Sequence, residues 1–365
     1  SANYAPVYIA NLVLETISKI QITAQNKDQW NNVKGSAHFY RAYCFLNLAW
    51  TFAKAYDINS AATDLGIVLR STSNINDPSI RSSVEETYGQ ILKDAREAAY
   101  YLPNYSMHQF RPSKAAAYCL LARVHLSMRH YDSSLIYSNL CLKLKGDIMD
   151  YNNSGGDVSG NLTTGTATPF KQLNKEVIFH NQISNILLPT NSYTNAKVNS
   201  ALYASYSVDD WRKTAFFNLN QGDYRFRGSY AGNSSVIFTG MTTSEMLLTR
   251  AECYARVGEP GYKDSALKDL NYLLVRRWKP NTFADISTGT IQEALDIILV
   301  ERRKELLFRG LRWIDIKRFN KGGSNIILSR VIDGHTYDLM PNTDYYALPL
   351  PTDIVSLTNV QQNPF

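Results

Sequence analysis

The sequence predicts an all-α protein: tetratricopeptide-like helical repeats with an inserted loop-rich lobe and a few short strands. Two observations predict this fold class. Apolar residues recur at helical spacing in the first and last thirds of the chain. Two stretches, AAAYCLLARVHLSMRHYDSSLIYSNLCL and LLTRAECYARVGEPGYKDSALKDLNYLLVRR, also alternate small and large residues across a tight turn. Docking one helix with a small-residue face on the next is the packing unit of such repeats.

Five helices are predicted in the first part of the chain. Apolar periodicity places them at residues 1–23, 29–56, 83–102, 113–128 and 131–144. Ser83 followed by Glu86 has the spacing of a capping box, in which each side chain satisfies a backbone N–H of the first turn. Ala37 and Ala42 leave room for a neighbouring helix. We therefore expect closely packed helix pairs here.

The helical pattern stops between residues 145 and 243. Residues 151–168 are polar and rich in glycine, which predicts a long surface loop. Residues 175–183 alternate in character, which predicts a short strand. The rest of this part is rich in Tyr, Asn and Ser. It is expected to form a loop-rich lobe between two sets of helices.

Aromatic side chains in this lobe are the candidate ligand-binding residues. Aromatic rings cover the apolar C–H face of a polar ligand such as a sugar, and amides take its hydroxyl groups. The alternative is that these loops only pack over the helices. The candidates are Tyr193, Tyr203, Tyr206, Trp211, Tyr224 and Tyr230.

The third part begins with a helix pair that turns at Gly258 and Pro260 and continues into the most distinctive segment, residues 290–319. Thr290 and Glu293 have capping-box spacing, and Gly310 is expected to end the helix. Between residues 301 and 318, ten charged residues lie among large apolar ones, so we expect partly buried Arg–carboxylate pairs. A carboxylate-based catalytic site or an anion site is the alternative, but no His, Ser or Cys accompanies the cluster.

Composition argues against several other functions. The net charge of +6 is spread along the 365 residues, without the basic stripe of a nucleic-acid-binding protein. The four cysteines are far apart and show no metal-binding spacing. No nucleophile motif or phosphate loop is present, so we expect no enzyme activity, no cofactor and no metal site. No run of about 18 apolar residues predicts a transmembrane helix.

The string ERRKELLFRGLRWIDIKRF resembles the C-terminal signature of the SusD/RagB family of outer-membrane nutrient-binding lipoproteins. Arg309 departs from the signature, since the family usually has Glu at this place. The closing YALPLPTDIVSLTNVQQNPF also resembles the family's end, and its prolines are expected to hold an extended terminus. Asp210 and Arg212 resemble the family's D-x-R pair. The matching positions of the signature are Glu301, Arg302, Arg303, Glu305, Leu306, Phe308, Gly310, Arg312, Trp313, Asp315 and Arg318.

This resemblance implies a function. A SusD-like protein is a cell-surface glycan-binding protein that captures oligo- or polysaccharide and delivers it to a SusC-like TonB-dependent transporter of the outer membrane. The resemblance also implies that a lipid at the N-terminus of the full-length precursor, absent from this chain, attaches it to the membrane. Two alternatives stay open: a SusD-like binder of a non-sugar nutrient such as peptides, and a generic tetratricopeptide scaffold for protein interaction.

The predicted organisation has three consecutive segments. They are the N-terminal helices at 1–144, the ligand-binding lobe at 145–243, and the C-terminal helices with the SusD-type motif at 244–365. We expect them to form one compact structural unit.

Overall fold

The protein is predominantly α-helical, which confirms the predicted fold class. The computed structural model describes residues 4–153, 155–159, 162, 168–184, 197–233 and 236–364. In these ranges it contains twelve α-helices and ten short strands, and the strands pair only two by two, each pair antiparallel. Strand pairs this small need support from packed helices, because an isolated hairpin is barely stable in water.

The elements follow each other along the chain. The helices are α1 (Tyr4–Ile17), α2 (Lys27–Phe52), α3 (Val84–Tyr101), α4 (Lys114–Ser127), α5 (Tyr131–Leu144), α6 (Ser200–Ala204), α7 (Trp211–Ala215), α8 (Thr243–Val257), α9 (Tyr262–Leu274), α10 (Ile291–Glu305), α11 (Arg312–Lys321) and α12 (Thr352–Thr358). The strands are β1 (Leu65–Val68), β2 (Arg81–Ser83), β3 (Val177–Phe179), β4 (Gln182–Ser184), β5 (Phe217–Asn220), β6 (Asp223–Phe226), β7 (Val236–Phe238), β8 (Met241–Thr242), β9 (Leu328–Ile332) and β10 (His335–Leu339). The pairs are β1–β2, β3–β8, β4–β7, β5–β6 and β9–β10.

Both predicted capping boxes are present. Before α3, the Ser83 hydroxyl accepts from the Glu86 N–H at 3.1 Å, and the Glu86 carboxylate accepts from the Ser83 N–H at 2.8 Å. Thr290 and Glu293 make the same pair of bonds before α10, at 3.2 and 3.1 Å. Each box satisfies two N–H groups that the first turn leaves free, so these two helices begin where the sequence predicts.

Contacts divide the chain into two compact units. The terminal unit comprises residues 1–104, 123–130 and 313–365, and the middle unit comprises residues 105–122 and 131–312. Each unit joins stretches that are distant in sequence. Neither unit coincides with one of the three consecutive segments expected from the sequence.

The helix pair α8–α9 is a repeat of the predicted kind within the middle unit. Gly258 ends α8 with φ +74°, in the left-handed region that glycine adopts at no steric cost. Arg250 of α8 donates two hydrogen bonds to the Asp269 carboxylate of α9, at 2.6 and 2.7 Å. Ala251 and Ala266 are buried where the two helices contribute to one apolar cluster. The small side chains allow the close helix packing expected from the sequence.

The terminal unit has a buried polar centre on α2 and α3. Arg41 of α2 forms a bidentate pair with Asp94 of α3, at 2.6 and 2.8 Å. His38 Nδ1 lies 2.8 Å from the same carboxylate. Burial alone would raise the pKa of Asp94, but the hydrogen bonds from His38 and Arg41 outweigh it and lower that pKa. The centre fixes the register of the two helices, because any slip would separate buried charges.

Two local predictions in the C-terminal part are wrong. The helix α10 ends at Glu305, five residues before Gly310 (310 − 305). Phe308 and Gly310, at φ 58° and 76°, instead form the turn into α11. The closing segment is not extended throughout, because Pro351 precedes the short helix α12. Proline suits the start of a helix, where its missing N–H costs nothing.

We expect the substitution Asp94→Asn to lower the free energy of unfolding by about 3 kcal/mol, because it leaves the Arg41 guanidinium buried without a counter-charge. Urea denaturation at pH 7 measures this. The matched control is Asp296→Asn on the exposed face of α10, for which we expect a change below about 0.5 kcal/mol. Equal stability of the two variants would contradict a structural role for the Asp94 pair.

Candidate functional site

A buried ion-pair network lies at the centre of the middle unit, and we call its seven charged residues the charge network. Arg277, which follows α9, is completely buried. Its guanidinium donates to the carboxylates of Glu176 at 2.7 Å and Glu305 at 2.8 Å, and to the Met149 carbonyl at 2.7 Å. A planar guanidinium can donate in several directions at once, so one side chain joins three separate stretches of chain.

Arg212 is the second centre of the charge network. It is also completely buried and pairs with Asp210 at 2.7 Å, Glu301 at 2.5 Å and Glu305 at 3.2 Å. Asp210 also accepts from the backbone N–H of Arg212 at 2.9 Å, so it caps the short helix α7. Lys304 adds a third cation, 2.7 Å from Glu301. Buried Arg–carboxylate pairs, expected from the C-terminal segment, are thus confirmed.

The pKa values follow from this pairing. Burial would raise the pKa of Glu305, but the two guanidinium groups of Arg277 and Arg212 lower it to about 2. In the part of the chain that the structure describes, each of the four carboxylates in the charge network pairs with a cation. The same ranges hold no group of three or more His, Cys, Asp or Glu arranged to hold a metal ion. The charge network is therefore a set of mutually paired ions that stabilises the fold.

Arg309, the departure from the SusD/RagB signature, is nearly buried beside this network. Its guanidinium lies over the ring of Tyr230 at 3.8 Å and over the ring of Phe238 at 4.6 Å. Both contacts are cation–π interactions. A contact of this kind stabilises a desolvated cation by about 2 kcal/mol. At this position the chain thus places a cation against two aromatic rings.

Two of the six predicted ligand-binding residues have no surface to offer a ligand. Tyr206 is 1% exposed, and its hydroxyl donates to the Lys304 carbonyl at 2.8 Å. Tyr230 is fully buried, and its hydroxyl donates to Glu176 at 3.1 Å. A buried tyrosine needs a partner for its hydroxyl, and the charge network provides one. We therefore no longer consider these two residues part of the candidate site.

Tyr203 and Tyr224 lie together and are partly exposed. Their rings stack with centroids 3.4 Å apart, joining α6 to β6. The ammonium group of Lys213 lies 4.9 Å from the Tyr203 ring. Tyr224 pairs with Leu219 in the β5–β6 hairpin, so the exposed side chains of Asn218 and Asn220 lie on the other face of that hairpin. Partly exposed rings beside a cation form a surface suited to a polar ligand.

Trp211 is partly exposed at the start of α7. Its indole N–H donates to the Asn152 side chain at 2.8 Å, and the ammonium group of Lys279 lies 5.8 Å from its ring. The structure gives no contact between Trp211 and the Tyr203–Tyr224 stack. Tyr193 lies outside the described residues. We call Tyr203, Tyr224 and Trp211, with Lys213, the aromatic surface.

Sequence reasoning missed the polar member of this surface, Lys213. It stands two residues after Trp211 and directly follows the Asp210–Arg212 pair that resembles the family's D-x-R. The hairpin was also visible, because NLNQGDYRF places Gly222 between two strand-like runs. Gly222 has φ +83°, and the register Asn220–Asp223 closes the turn. A turn signal of this kind would have placed Tyr224 on a hairpin, opposite Leu219.

Two family models match the chain. Residues 1–126 match a model described as starch-binding associating with outer membrane. Residues 151–365, more than half of the chain, match the model of the SusD family. The chain belongs to the SusD family.

Known members of the SusD family resemble the chain over its whole length. The curated SusD-like protein P2 of Formosa agariphila is 23% identical over 420 residues, covering 99% of this chain and 78% of the relative. Among solved structures, a SusD superfamily protein of Bacteroides vulgatus is similar with a TM-score of 0.77 and 20% identity, covering 99% of this chain and 84% of that one. A SusD-like carbohydrate binding protein of the same species has a TM-score of 0.71 and 22% identity, covering 98% and 81%. At such identities the structures establish the SusD fold.

The SusD family is described as associating with the outer membrane. Within the described ranges of this member, no helix has both the length and the apolarity needed to cross a bilayer.

We expect Glu305→Gln to lower the free energy of unfolding at pH 7 by about 3 kcal/mol, since it leaves Arg277 and Arg212 without their shared counter-charge. The pKa of Glu305 is depressed on folding, so its contribution is fully present above the ordinary value of 4.5 and is lost as the pH falls towards 2. The difference between wild type and variant should therefore shrink by roughly 1 kcal/mol between pH 7 and pH 3.5.

Urea denaturation of both proteins at the two pH values measures this difference. The exposed Glu259→Gln serves as the matched control and should show little difference from wild type at either pH. A pH-independent gap between wild type and Glu305→Gln would mean that the charge of Glu305 does not stabilise the fold.

Proposed function

We propose that this SusD-family protein captures oligo- or polysaccharide at the bacterial cell surface and delivers it to a SusC-like TonB-dependent transporter. The observation that carries the proposal is the match to family models described as SusD and as starch-binding associating with outer membrane. SusD-like proteins are binding proteins, so the role of this chain is to hold a ligand and release it unchanged.

The aromatic surface supports glycan capture. Tyr203 and Tyr224 offer partly exposed rings that can lie against the C–H face of a sugar, and Trp211 offers a third. The ammonium group of Lys213, 4.9 Å from the Tyr203 ring, places a donor beside the stack, where a hydroxyl group of the same sugar would lie. The stack is held on both sides, since Tyr203 also packs edge-on against buried Phe217 at 5.5 Å. A preformed surface loses little entropy when it binds.

The chemistry of the charge network supports binding rather than bond cleavage. Glycosidases need two carboxylates that flank the bond, one of them able to give up a proton. In the charge network Arg277 and Arg212 keep the pKa of Glu305 near 2, so this group holds no proton at neutral pH. Asp210 and Glu301 form ion pairs with Arg212, at 2.7 and 2.5 Å. We therefore assign the network to structure and the exposed rings to function.

The membrane attachment belongs to the same proposal. A lipid at the N-terminus of the full-length precursor would hold the protein at the outer membrane, next to its transporter. The family's description as associating with the outer membrane supports this position.

We expect wild-type protein to be retarded by at least one polysaccharide in affinity gels, and to show no binding to a peptide pool by calorimetry. Tyr224→Ala and Trp211→Ala should each weaken binding about tenfold, which is about 1.4 kcal/mol, because each removes one face for the sugar. The matched control is Tyr337→Ala, which removes an exposed ring from β10, outside the aromatic surface.

Undiminished binding in both Tyr224→Ala and Trp211→Ala would place the glycan elsewhere on the protein. Binding to peptides without binding to any polysaccharide would favour the other nutrient class. Release of shorter sugars from any bound glycan by the pure protein would contradict capture without cleavage.

We also expect the full-length precursor, isolated from its native membrane, to carry a fatty acyl group and to co-purify with a TonB-dependent transporter. Mass spectrometry of the purified membrane complex tests both. Replacing the acylated cysteine of the precursor should release the protein from the membrane fraction. Purification of the acylated protein without any transporter would contradict the delivery step.

A further inference from the structure

A small polar cavity in the terminal unit is separate from the aromatic surface. It lies beside the C-terminal end of α2, between the loop that follows this helix and the helix α11, and has a volume of about 240 Å³. Three lysines line it, Lys54, Lys317 and Lys321, together with the single carboxylate of Asp64. Cavities for drug-sized ligands measure roughly 300–1,000 Å³, so this one suits a single small ring with its polar groups.

Lys317 is the unusual group in this cavity. Its side chain comes from α11 and is 2% exposed. The ammonium group donates to the carbonyls of Trp50 at 3.0 Å and Ala53 at 2.5 Å, at the end of α2. An ammonium group has three N–H donors, so two carbonyls leave one donor over. No carboxylate of the described residues forms an ion pair with Lys317. Burying a cation without such a partner costs free energy.

The other two lysines have their own counter-ions. Lys54 lies 2.7 Å from the Asp344 carboxylate, and Lys321 lies 3.3 Å from that of Asp57. Asp64 accepts from the Ser60 hydroxyl at 2.5 Å and lies 3.8 Å from Lys54. Three carboxylates thus accompany the three lysines, and Lys317 is the lysine that none of them pairs with. The carboxylate of a ligand could accept the N–H of Lys317 that the two carbonyls leave over.

The walls of the cavity are held in place by the protein itself. The amide of Asn320 accepts from the Ile326 N–H at 2.6 Å and donates to the Ile326 carbonyl at 3.0 Å. The Asn342 amide donates to the Asn320 carbonyl at 3.2 Å. These bonds fix the side opposite α2, so a ligand would meet a preformed site.

We propose that this cavity binds the carboxylate of an acidic sugar residue, with Lys317 as the central cation and Lys321 beside it. The inference rests on the proposed function, which it narrows to glycans that carry uronic acids. A carboxylate would give Lys317 the ion pair that it lacks within the protein, and Ser60 and Asp64 remain on the wall for the hydroxyl groups of the ring. A lysine binds such a group as a point charge without demanding a fixed orientation.

Protonation of Lys317 should couple to binding. Burial lowers the pKa of Lys317 to about 7, so a bound carboxylate must raise it by favouring the charged form. The surrounding titratable groups are Lys54, Asp64, Lys321 and Tyr346, with Asp57 and Asp344 behind the two lysines. The hydrogen bond to Asp344 raises the pKa of Lys54, and burial raises the pKa of Tyr346. Both groups therefore titrate far from neutrality, and affinity should fall as the pH rises through 7.

Isothermal titration calorimetry with glucuronate, glucose and acetate tests the inference. We expect glucuronate to bind at pH 6 at least tenfold more tightly than glucose or acetate, and more than tenfold more tightly than at pH 8.5. At pH 8, buffers with different ionisation enthalpies should reveal proton uptake on binding. Glucose binding as tightly as glucuronate, or affinity without pH dependence, would overturn the assignment. Acetate binding as tightly as glucuronate would mean that the cavity recognises a carboxylate without the sugar ring, which would contradict a sugar acid as the ligand.

Substitution of the cavity lysines provides a second test. Lys317→Met should abolish glucuronate binding and its pH dependence, but it also removes two bonds at the end of α2. Lys321→Gln avoids this and should weaken glucuronate binding several-fold. The matched control is Lys145→Gln, another partly exposed lysine, 2.7 Å from Asp147, and it should bind like wild type. Equal binding by Lys321→Gln and Lys145→Gln would contradict the site.

The two proposals fail in different ways. Binding of neutral polysaccharide without any binding of glucuronate would overturn the acidic-sugar site and leave glycan capture standing. Binding of glucuronate in the absence of binding to every polysaccharide would support the cavity and contradict capture of glycans.

Discussion

The requirement that buried charges be paired organises the middle unit. Arg277 and Arg212 have no exposed surface, and each would be very costly to bury alone. Glu305 on α10 serves both of them, so helix, loop and strand segments must meet at one point. The elements gathered there are short, and helices of five residues or strands of three are not stable by themselves. They persist because moving any of them would separate ions that water cannot reach.

This arrangement also decides which aromatic residues are available for binding. Tyr206 and Tyr230 direct their hydroxyls towards the charge network, and both side chains are buried. Tyr203, Tyr224 and Trp211 pack against the same apolar cluster with one side and keep part of the ring exposed. A rigid interior and a set of partly exposed rings fit a protein that holds sugars without altering them. In this member of the SusD family, the charge network and the aromatic surface pack against the same apolar cluster.

Much of the fold could be predicted because its signals are local. Capping boxes at Ser83 and Thr290, a glycine turn at Gly258 and helical periodicity each depend on a few neighbouring residues. Other features depend on distant partners. The stop at Glu305 and the burial of Tyr230 are set by residues more than fifty positions away, such as Glu176 and Arg212. Composition shows that this region is rich in tyrosine, but it does not show which tyrosine finds a buried acceptor. For the candidate site, the sequence therefore predicted a set of aromatic residues, but it did not show that two of them, Tyr206 and Tyr230, are buried.

The described strands occur as separate two-stranded ribbons, each held by neighbouring helices and loops instead of by a larger sheet. In an extended sheet, a change in one strand disturbs the register of the next. Here the β5–β6 ribbon can lengthen, shorten or exchange its tip residues while every other pairing stays as it is. Surface loops tolerate such variation well. The length and tip residues of this ribbon can therefore vary without disturbing the ionic interior of the middle unit.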